Sequence, residues 1–442
     1  MLKRALKSII RILITLVVSA AIGTLMLSLA YSLPTDRIWN NVEKSVEQIA
    51  MEGDHFSLFT GLKFTNQDNY TDAIYMNEAL INNDAKGLFT GLIGLEYENK
   101  NLPIDYDSPV LLLKNVFQDD SQLEFKEQTT RFWNGYEVVV KILLCFFTYG
   151  QIRYINYIVE LLLLLAMAML MKKHELTRFI IPLFMSFLFL GPITMTTSMV
   201  FSGFMYCTYI PCIIMLLFND KLRVGQRYPI FFLIIGIVMA YFNVNYFQLI
   251  SFAYAFVFYC MLNDFPKSNR EAFLTLISMF AYWLMGFDGM YVMKWIIYEI
   301  LVGQPIISNM IARSLYRVSA TAYYTGPRIS RIKAMLKNIY YALINIPWLI
   351  VEICYIVGAL TAFFKGKDRY QASELLKKKM PALILTISML GIVLLRYIIF
   401  ANHVYVHAWV TYRTLDSVIL LFNVIIMNCI SEKAANCAHA NK

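Results

Sequence analysis

Residues 1–36 read "MLKRALKSIIRILITLVVSAAIGTLMLSLAYSLPTD", and the fold turns on whether this stretch is a leader or an anchor. Its start is basic, with Lys3, Arg4, Lys7 and Arg11, as a secretory signal begins. The apolar core of a signal runs about 7–15 residues and ends at a small-x-small cleavage site. Here the apolar run covers residues 9–32, and no such site precedes "YSLPTD". The stretch therefore reads as a retained membrane anchor.

The same signal recurs along the chain. Crossing roughly 30 Å of hydrocarbon takes about 20 apolar residues in a helix. About ten stretches approach that length: 9–32, 152–171, 177–193, 197–218, 229–243, 246–262, 271–288, 339–364, 381–400 and 414–430. The 442 residues are 58% hydrophobic and 16% charged, with a mean hydropathy of +0.55, which excludes an ordinary soluble domain. The expected fold is all-α and polytopic, with about ten transmembrane helices and a large outer loop after the first.

Lys and Arg concentrate in cytoplasmic loops. With a cytoplasmic amino terminus, the inner loops are "KKHELTR" (172–178), "DKLRVGQR" (220–227), "PKSNR" (266–270), "KGKDRYQASELLKKK" (365–379) and the tail after Ser431, all basic. Both termini are then cytoplasmic in a multi-pass cell-membrane protein. The segment from Leu33 to Arg131 falls outside and carries 17 Asp+Glu against 8 Lys+Arg. Because the whole chain is +9, the remainder is +18, so the basic balance belongs to loops at the membrane and implies no nucleic acid partner. None of the seven cysteines lies in the 33–131 segment and no CxxC pair occurs, which suggests a bacterial plasma membrane.

The expected organisation is a start and first span (1–32), an outer loop (33–150), spans two to seven (151–288), a basic outer segment (289–338), and spans eight to ten with the tail (339–442). Within the outer loop, Ile38, Val42, Val46 and Ile49 recur at helical spacing before Gly53, so residues 36–52 read as an amphipathic helix. "AIYMNEALI" reads as a second. "RFWNGYEVVVKILLCFFTYGQIRYIN" reads as one or two interfacial helices with aromatic anchors. The outer turns "GPITMTT" and "FNVN" look too short to be more than connections. Making "YVMKWIIYEILVGQPIISNMIA" a span would bring the basic 289–338 segment inside, but would put "KGKDRYQASELLKKK" outside. The segment is kept outside, where its Lys and Arg ask for an anionic partner.

Four constellations carry possible chemistry. In "NQDNYTDAIYMNEA", Asp72 beside the bilayer suits a general base, although Asn69 as an N-cap and Asp72 in the first turn also suit plain helix capping. Asp36 in "PTD" has the same two readings. In "RFWNGY", Arg131 suits a phosphate and Trp133 a sugar face, or both anchor the chain at the interface. Lys294 in "MKW", read with the cations from Arg313 to Lys333, suits a lipid phosphate, or it snorkels. In "NHVYVHAWVTYR" (402–413), His403 and His407 share a helical face as a metal pair would, but no third ligand or adjacent glutamate completes a zinc motif. With Arg396 and Arg413 flanking them, they read as a substrate path at the membrane edge. No Walker loop, dinucleotide motif or serine elbow is present.

The order "LPTDRI", "EGD", "DNYTDAI", "RFWNGY", "QIRYIN", "MKW" and "NHVYVHAWVTYR" resembles a family of multipass proteins of Gram-positive bacteria. These accompany capsule, wall-polysaccharide or teichoic acid genes and are similar to the GT-C class of glycosyltransferases. The resemblance implies transfer of a sugar from a polyprenyl-phosphate donor to an outer glycan or glycolipid, without nucleotide, cofactor or metal. Its partners would be membrane lipid, the lipid-linked sugar and the glycan acceptor. The resemblance also implies an outer-loop carboxylate as base, which falls on Asp72 or Asp36. Arg131, Trp133, Lys294, Arg396, His403, His407 and Arg413 would then hold the donor's phosphate and sugar. Asn134 stands where the family pattern has histidine, and "YFNVNYFQLI" where it has "DFLTYP". A lipid-linked glycan flippase, or a non-catalytic member of a polysaccharide assembly complex, are the alternatives.

Overall fold

The computed structural model describes residues 2–60, 62–99, 108–118, 123–127, 129–321, 328–364 and 380–440. The expected inner loop 365–379 lies outside the described residues. The anchor forms α1 (Leu2–Ala30). A narrow face with Leu16, Ala20 and Leu27 is buried, whereas Leu13, Ile14, Val17, Val18 and Leu25 point outward. Such an exposed apolar face on a helix of this length fits a lipid environment, where it costs nothing.

The segment expected as the outer loop folds on the end of α1. The amphipathic helix forms as α2 (Asp36–Glu52), burying Ile38, Val42, Val46 and Ile49, and Gly53 (φ 73°) ends it in a conformation that favours glycine. Next come α3 (Asn69–Ala79), α4 (Thr90–Ile93), β1 (Leu95–Asn99), α5 (Pro109–Val116), β2 (Leu123–Glu127) and α6 (Glu137–Leu144). β1 and β2 pair antiparallel with Tyr97 opposite Phe125, a ribbon that escaped the helical reading of the loop. "NG" of "RFWNGY" is a turn between this ribbon and α6. Asn134 takes φ 57°, a conformation for which Asn and His are both enriched, and a Cβ on Gly135 would stand 2.4 Å from the Tyr241 ring. "QIRYIN", expected at the interface, instead opens α7 (Tyr149–Lys173), which starts at a Thr148–Gln151 capping box.

The membrane bundle continues with α8 (Ile180–Leu190), α9 (Pro192–Thr197), α10 (Met199–Arg223), α11 (Arg227–Phe242), α12 (Leu249–Leu262), α13 (Asn269–Val302), α14 (Ile307–Val318), α15 (Arg331–Leu343), α16 (Ile346–Phe364), α17 (Met380–Ile399), α18 (Ala401–Val406), α19 (Ala408–Thr411) and α20 (Asp416–Ala440). Among the described residues six helices are long and apolar enough to cross a membrane, in α1, α7, α10, α13, α17 and α19–α20. The pair α15–α16, bent by 80°, is apolar enough for a seventh if the two helices together count as one broken span. Three apolar helices, Thr177–Leu190, Arg227–Phe242 and Leu249–Leu262, are shorter. Every apolar stretch read from the sequence falls on one of these helices. The molecule is an all-α, multi-pass membrane protein.

The bundle is tightest where α11 crosses α13. A Cβ on Gly236 would lie 2.1 Å from the Trp283 carbonyl oxygen, and one on Gly286 2.0 Å from that of Leu233. Paired glycines let the two backbones touch, as small residues do between membrane helices. α12 is buried on every side from Leu249 to Phe258, so it runs through protein rather than lipid. The expected seventh span, 271–288, is the first half of the 34-residue α13, which continues to Val302 and ends at Gly303 with φ 76°. Lys294 therefore belongs to a continuous helix and not to an outer loop.

Candidate functional site

Asp72 is wholly buried on the first turn of α3. Its Oδ2 accepts from the Tyr149 hydroxyl (2.7 Å) and the Met199 amide (2.8 Å), and its Oδ1 from the Val200 amide (2.9 Å) and the Ser198 hydroxyl (3.2 Å). The carboxylate thus caps the N-terminus of α10, where amides are otherwise unpaired and the helix dipole favours an anion. Burial pushes it up to about 6 against these bonds. Asp36 is exposed on the first turn of α2 and bonds to none of the other expected site residues. Of the outer acids, Asp68 stands in the most suggestive position. It is buried as the N-cap of α3, accepts from the Thr71 amide (3.1 Å) and hydroxyl (2.8 Å), and reaches the Tyr246 hydroxyl. Burial pushes it also up to about 6.

Three of the expected phosphate and sugar ligands are structural. Trp133 is buried and donates its indole N–H to the Met290 carbonyl (2.6 Å), tying the outer loop to α13. Lys294 is buried beside Trp133, 5.9 Å from its ring, and donates to the Leu92 carbonyl. Arg413 is buried and clamps three segments by their carbonyls: Leu190 (3.1 Å), Trp409 (3.3 Å) and Phe64 (3.0 Å). Each group is a cation or donor whose burial would be costly without these partners.

The other four expected ligands stand in one half-buried cluster. Half-buried Arg131 stands within electrostatic range of Arg313 and Arg317 on α14. His407 feels Arg317, His55 and Arg131, and His403 feels Arg317 and Arg396. The histidine rings lie 4.9 Å apart even though the helix breaks at His407, because α18 ends there. The His403 ring bonds the Asn245 carbonyl. Arg396 donates to the Tyr246 carbonyl (2.6 Å) and to Gln248 (3.2 Å), and the Tyr246 ring lies 5.8 Å from His407. His55 stands beside the cluster, its ring 4.9 Å from that of Trp409. Burial and like charge pull Arg131 down to about 10, so it stays charged at neutral pH. Burial and the neighbouring arginines hold His403 well below the usual range and His407 at about 3, so both are neutral donors or acceptors.

Among the described residues no carboxylate pairs with Arg131, Arg313, Arg317 or Arg396. Arg131 makes no hydrogen bond there and packs on the Phe132 ring at 4.5 Å. Arg317 reaches Asn402 (3.3 Å) and Arg313 reaches Asn309 (3.3 Å), both neutral. These arginines form a cationic cluster that no carboxylate pairs among the described residues. Two other bases of the 289–338 segment are occupied: Arg331 donates to the carbonyls of Val318 (3.1 Å) and Ile399 (3.2 Å), and Lys337 to that of Tyr405 (2.9 Å). The described residues contain no group of three His, Cys, Asp or Glu able to hold a metal.

The residues 243–248 joining α11 and α12, read from sequence as the connection "FNVN" followed by the start of the 246–262 span, supply Asn245, Tyr246 and Gln248 to this cluster. The available signal was their polarity: "NVNYFQ" is rich in amides for a turn between two apolar helices. The fold and site define a multi-pass membrane protein with a cationic cluster beside an acidic segment between its first two long apolar helices. The chain matches no family model, no curated protein and no solved structure.

Proposed function

We propose that the cluster binds the phosphate of a membrane lipid on the outer face, and that the protein is a GT-C-type transferase taking a sugar from a polyprenyl-phosphate donor. The observation that carries this is the gathering of Arg131, Arg313, Arg317 and Arg396 without a carboxylate. Arginine offers planar, bidentate recognition of phosphate, and fixed cations stabilise the charge that develops as a lipid phosphate leaves. An apolar groove of about 500 Å³ between α1 and the outer end of α13, with Thr24, Ser28 and Ile297 in its wall, would seat part of the prenyl chain.

For the base we favour Asp68 over Asp72 and Asp36. Tyr246 connects Asp68 to the cluster, and a carboxylate held at about 6 is close to the working pH of a general base. Asp72 has both oxygens committed to α10. With the amino terminus cytoplasmic and the three shorter helices counted as crossings, the chain has ten spans and the cluster faces outward. The test is transfer of radiolabelled sugar from a polyprenyl phosphate to membrane acceptors by the purified full chain. Asp68→Asn should lower the rate at least 100-fold with lipid-phosphate binding retained; an unchanged rate contradicts the assignment. Transport of the lipid without sugar release would favour the flippase alternative.

A further inference from the structure

α7 is lipid-facing except for one stripe. Tyr149, Arg153, Asn156 and Glu160 recur at spacings of four, three and four, which places them on one helical face. Tyr154, Ile158, Leu161, Leu162 and Leu165 point outward. The stripe is covered from the outer end inward. Arg153 grips Glu52 of α2 through two bonds of 2.7 Å, and one turn deeper the Tyr206 hydroxyl of α10 donates to Asn156 Oδ1 at 2.7 Å.

Glu160 comes next, 1% exposed and near the middle of the 25-residue helix. Eleven residues separate it from Tyr149, or ~16 Å at 1.5 Å per residue. Neither of its carboxyl oxygens has a hydrogen-bond partner among the described residues. Ser202 lies beside it, but gives its hydrogen to the Met195 carbonyl (3.0 Å). From α10, Tyr206 and Tyr209 are the titratable groups in its range. α9 carries none, the charged group that α2 turns to α7 is Glu52 at the outer end, and the turn at 177–179 carries Arg178 at the inner end. Tyr209 also lies within electrostatic reach of Asp416, whose oxygens both accept from Ser186 at 2.7 Å. An ionised carboxylate here would have no counter-charge and at most the Ser202 hydroxyl as donor, taken from the Met195 carbonyl, at a cost of several kcal/mol.

We propose that Glu160 is a proton-binding site at mid-membrane, neutral in the resting protein, that exchanges its proton with the outer solution along the Asn156–Tyr206 seam. The proton comes from outer water and adds to the carboxylate. The carboxyl group then has an O–H to offer the free lone pair of Ser202. No other bond forms or breaks. Ionisable groups inside a membrane protein commonly mark such paths, and the mechanism proposed for the outer cluster makes no use of this one.

Infrared spectroscopy of the purified full chain in lipid nanodiscs tests the site, whether or not the outer cluster binds lipid phosphate. A protonated-carboxyl C=O band should be present at pH 7, shift in D2O, disappear in Glu160→Gln and move in Glu160→Asp, which preserves the acid should the amide fail to fold. Asn156→Leu should keep the band but slow its shift in D2O at least 10-fold. A spectrum without a band attributable to Glu160, or a band that shifts equally fast in Asn156→Leu, overturns the proposal.

Discussion

Asp72 differs from a free base by four hydrogen bonds, and its replacement should read out as stability. Asp72→Asn puts an N–H₂ in place of one of the two oxygens to which the Met199 and Val200 amides donate, and removes the charge at the α10 N-terminus, so we expect a loss of about 1–3 kcal/mol in unfolding free energy. Thermal melts in detergent measure it, and an unchanged melt contradicts the capping role. Proton linkage gives a second test at this scale. Asp68 and Asp72, held near 6, take up protons in the folded chain before the unfolded chain does. Their contribution is full at low pH and is lost as pH rises through about 6. His403 and His407 act oppositely: held below their ordinary value, they favour the folded state above about 6.5 and lose this as pH falls toward about 3. In Asp68→Asn/Asp72→Asn only the histidine effect remains of the four. The melting temperature should then fall more steeply than wild type between pH 6.5 and 4.5; parallel curves contradict the assigned environments. The sequence placed Asp72 in the first turn of a helix, with Asn69 where the structure has Asp68 as the cap, but spacing cannot tell that its partners come from residues 198–200, more than 120 positions away.

At the scale of elements, the apolar helices were legible because lipid imposes a length and a composition that soluble cores do not. Their ends were less so. α13 runs on through Lys294 because a carbonyl of the outer domain receives the ammonium, a partner that hydropathy does not register. The β1–β2 ribbon and the 243–248 connection were missed for a related reason: short segments acquire meaning from what they pack against. The α11–α13 crossing makes a direct prediction. Gly286→Leu must push the helices apart, and overpacking of this kind costs typically 1–3 kcal/mol or more; melting and size-exclusion profiles check it, with a wild-type melt as the contradicting result. The Arg153–Glu52 pair gives another. With side chains 10% and 14% exposed, it fastens α2 to α7, and Arg153→Ala should cost about 3–5 kcal/mol by leaving a buried carboxylate unpaired. A loss under about 1 kcal/mol would mean that α2 is held by its apolar face alone.

For the whole molecule, the orientation rests on the charge of the loops, and the fold adds only which parts share a side. The acidic outer domain, the cationic cluster and the outer ends of α1 and α13 share one side if the amino terminus is cytoplasmic. In a cysteine-free background Lys44→Cys should react in intact cells with a membrane-impermeant maleimide and Lys173→Cys only after permeabilisation; the reverse pattern would invert the topology. The central claim is that this side of the protein grips lipid phosphate through arginines that no carboxylate neutralises. Of the expected ligands, Arg131, Arg396, His403 and His407 converge there, whereas Trp133, Lys294 and Arg413 hold the scaffold, a division that residue type alone did not carry. The most direct test is equilibrium binding of polyprenyl phosphate to the nanodisc-embedded protein, compared with Arg131→Ala/Arg317→Ala and with the same polyprenol lacking phosphate. We expect the double variant to lose at least 10-fold in affinity and the neutral polyprenol to bind both proteins equally weakly. Undiminished phosphate-dependent binding by the double variant would contradict the account.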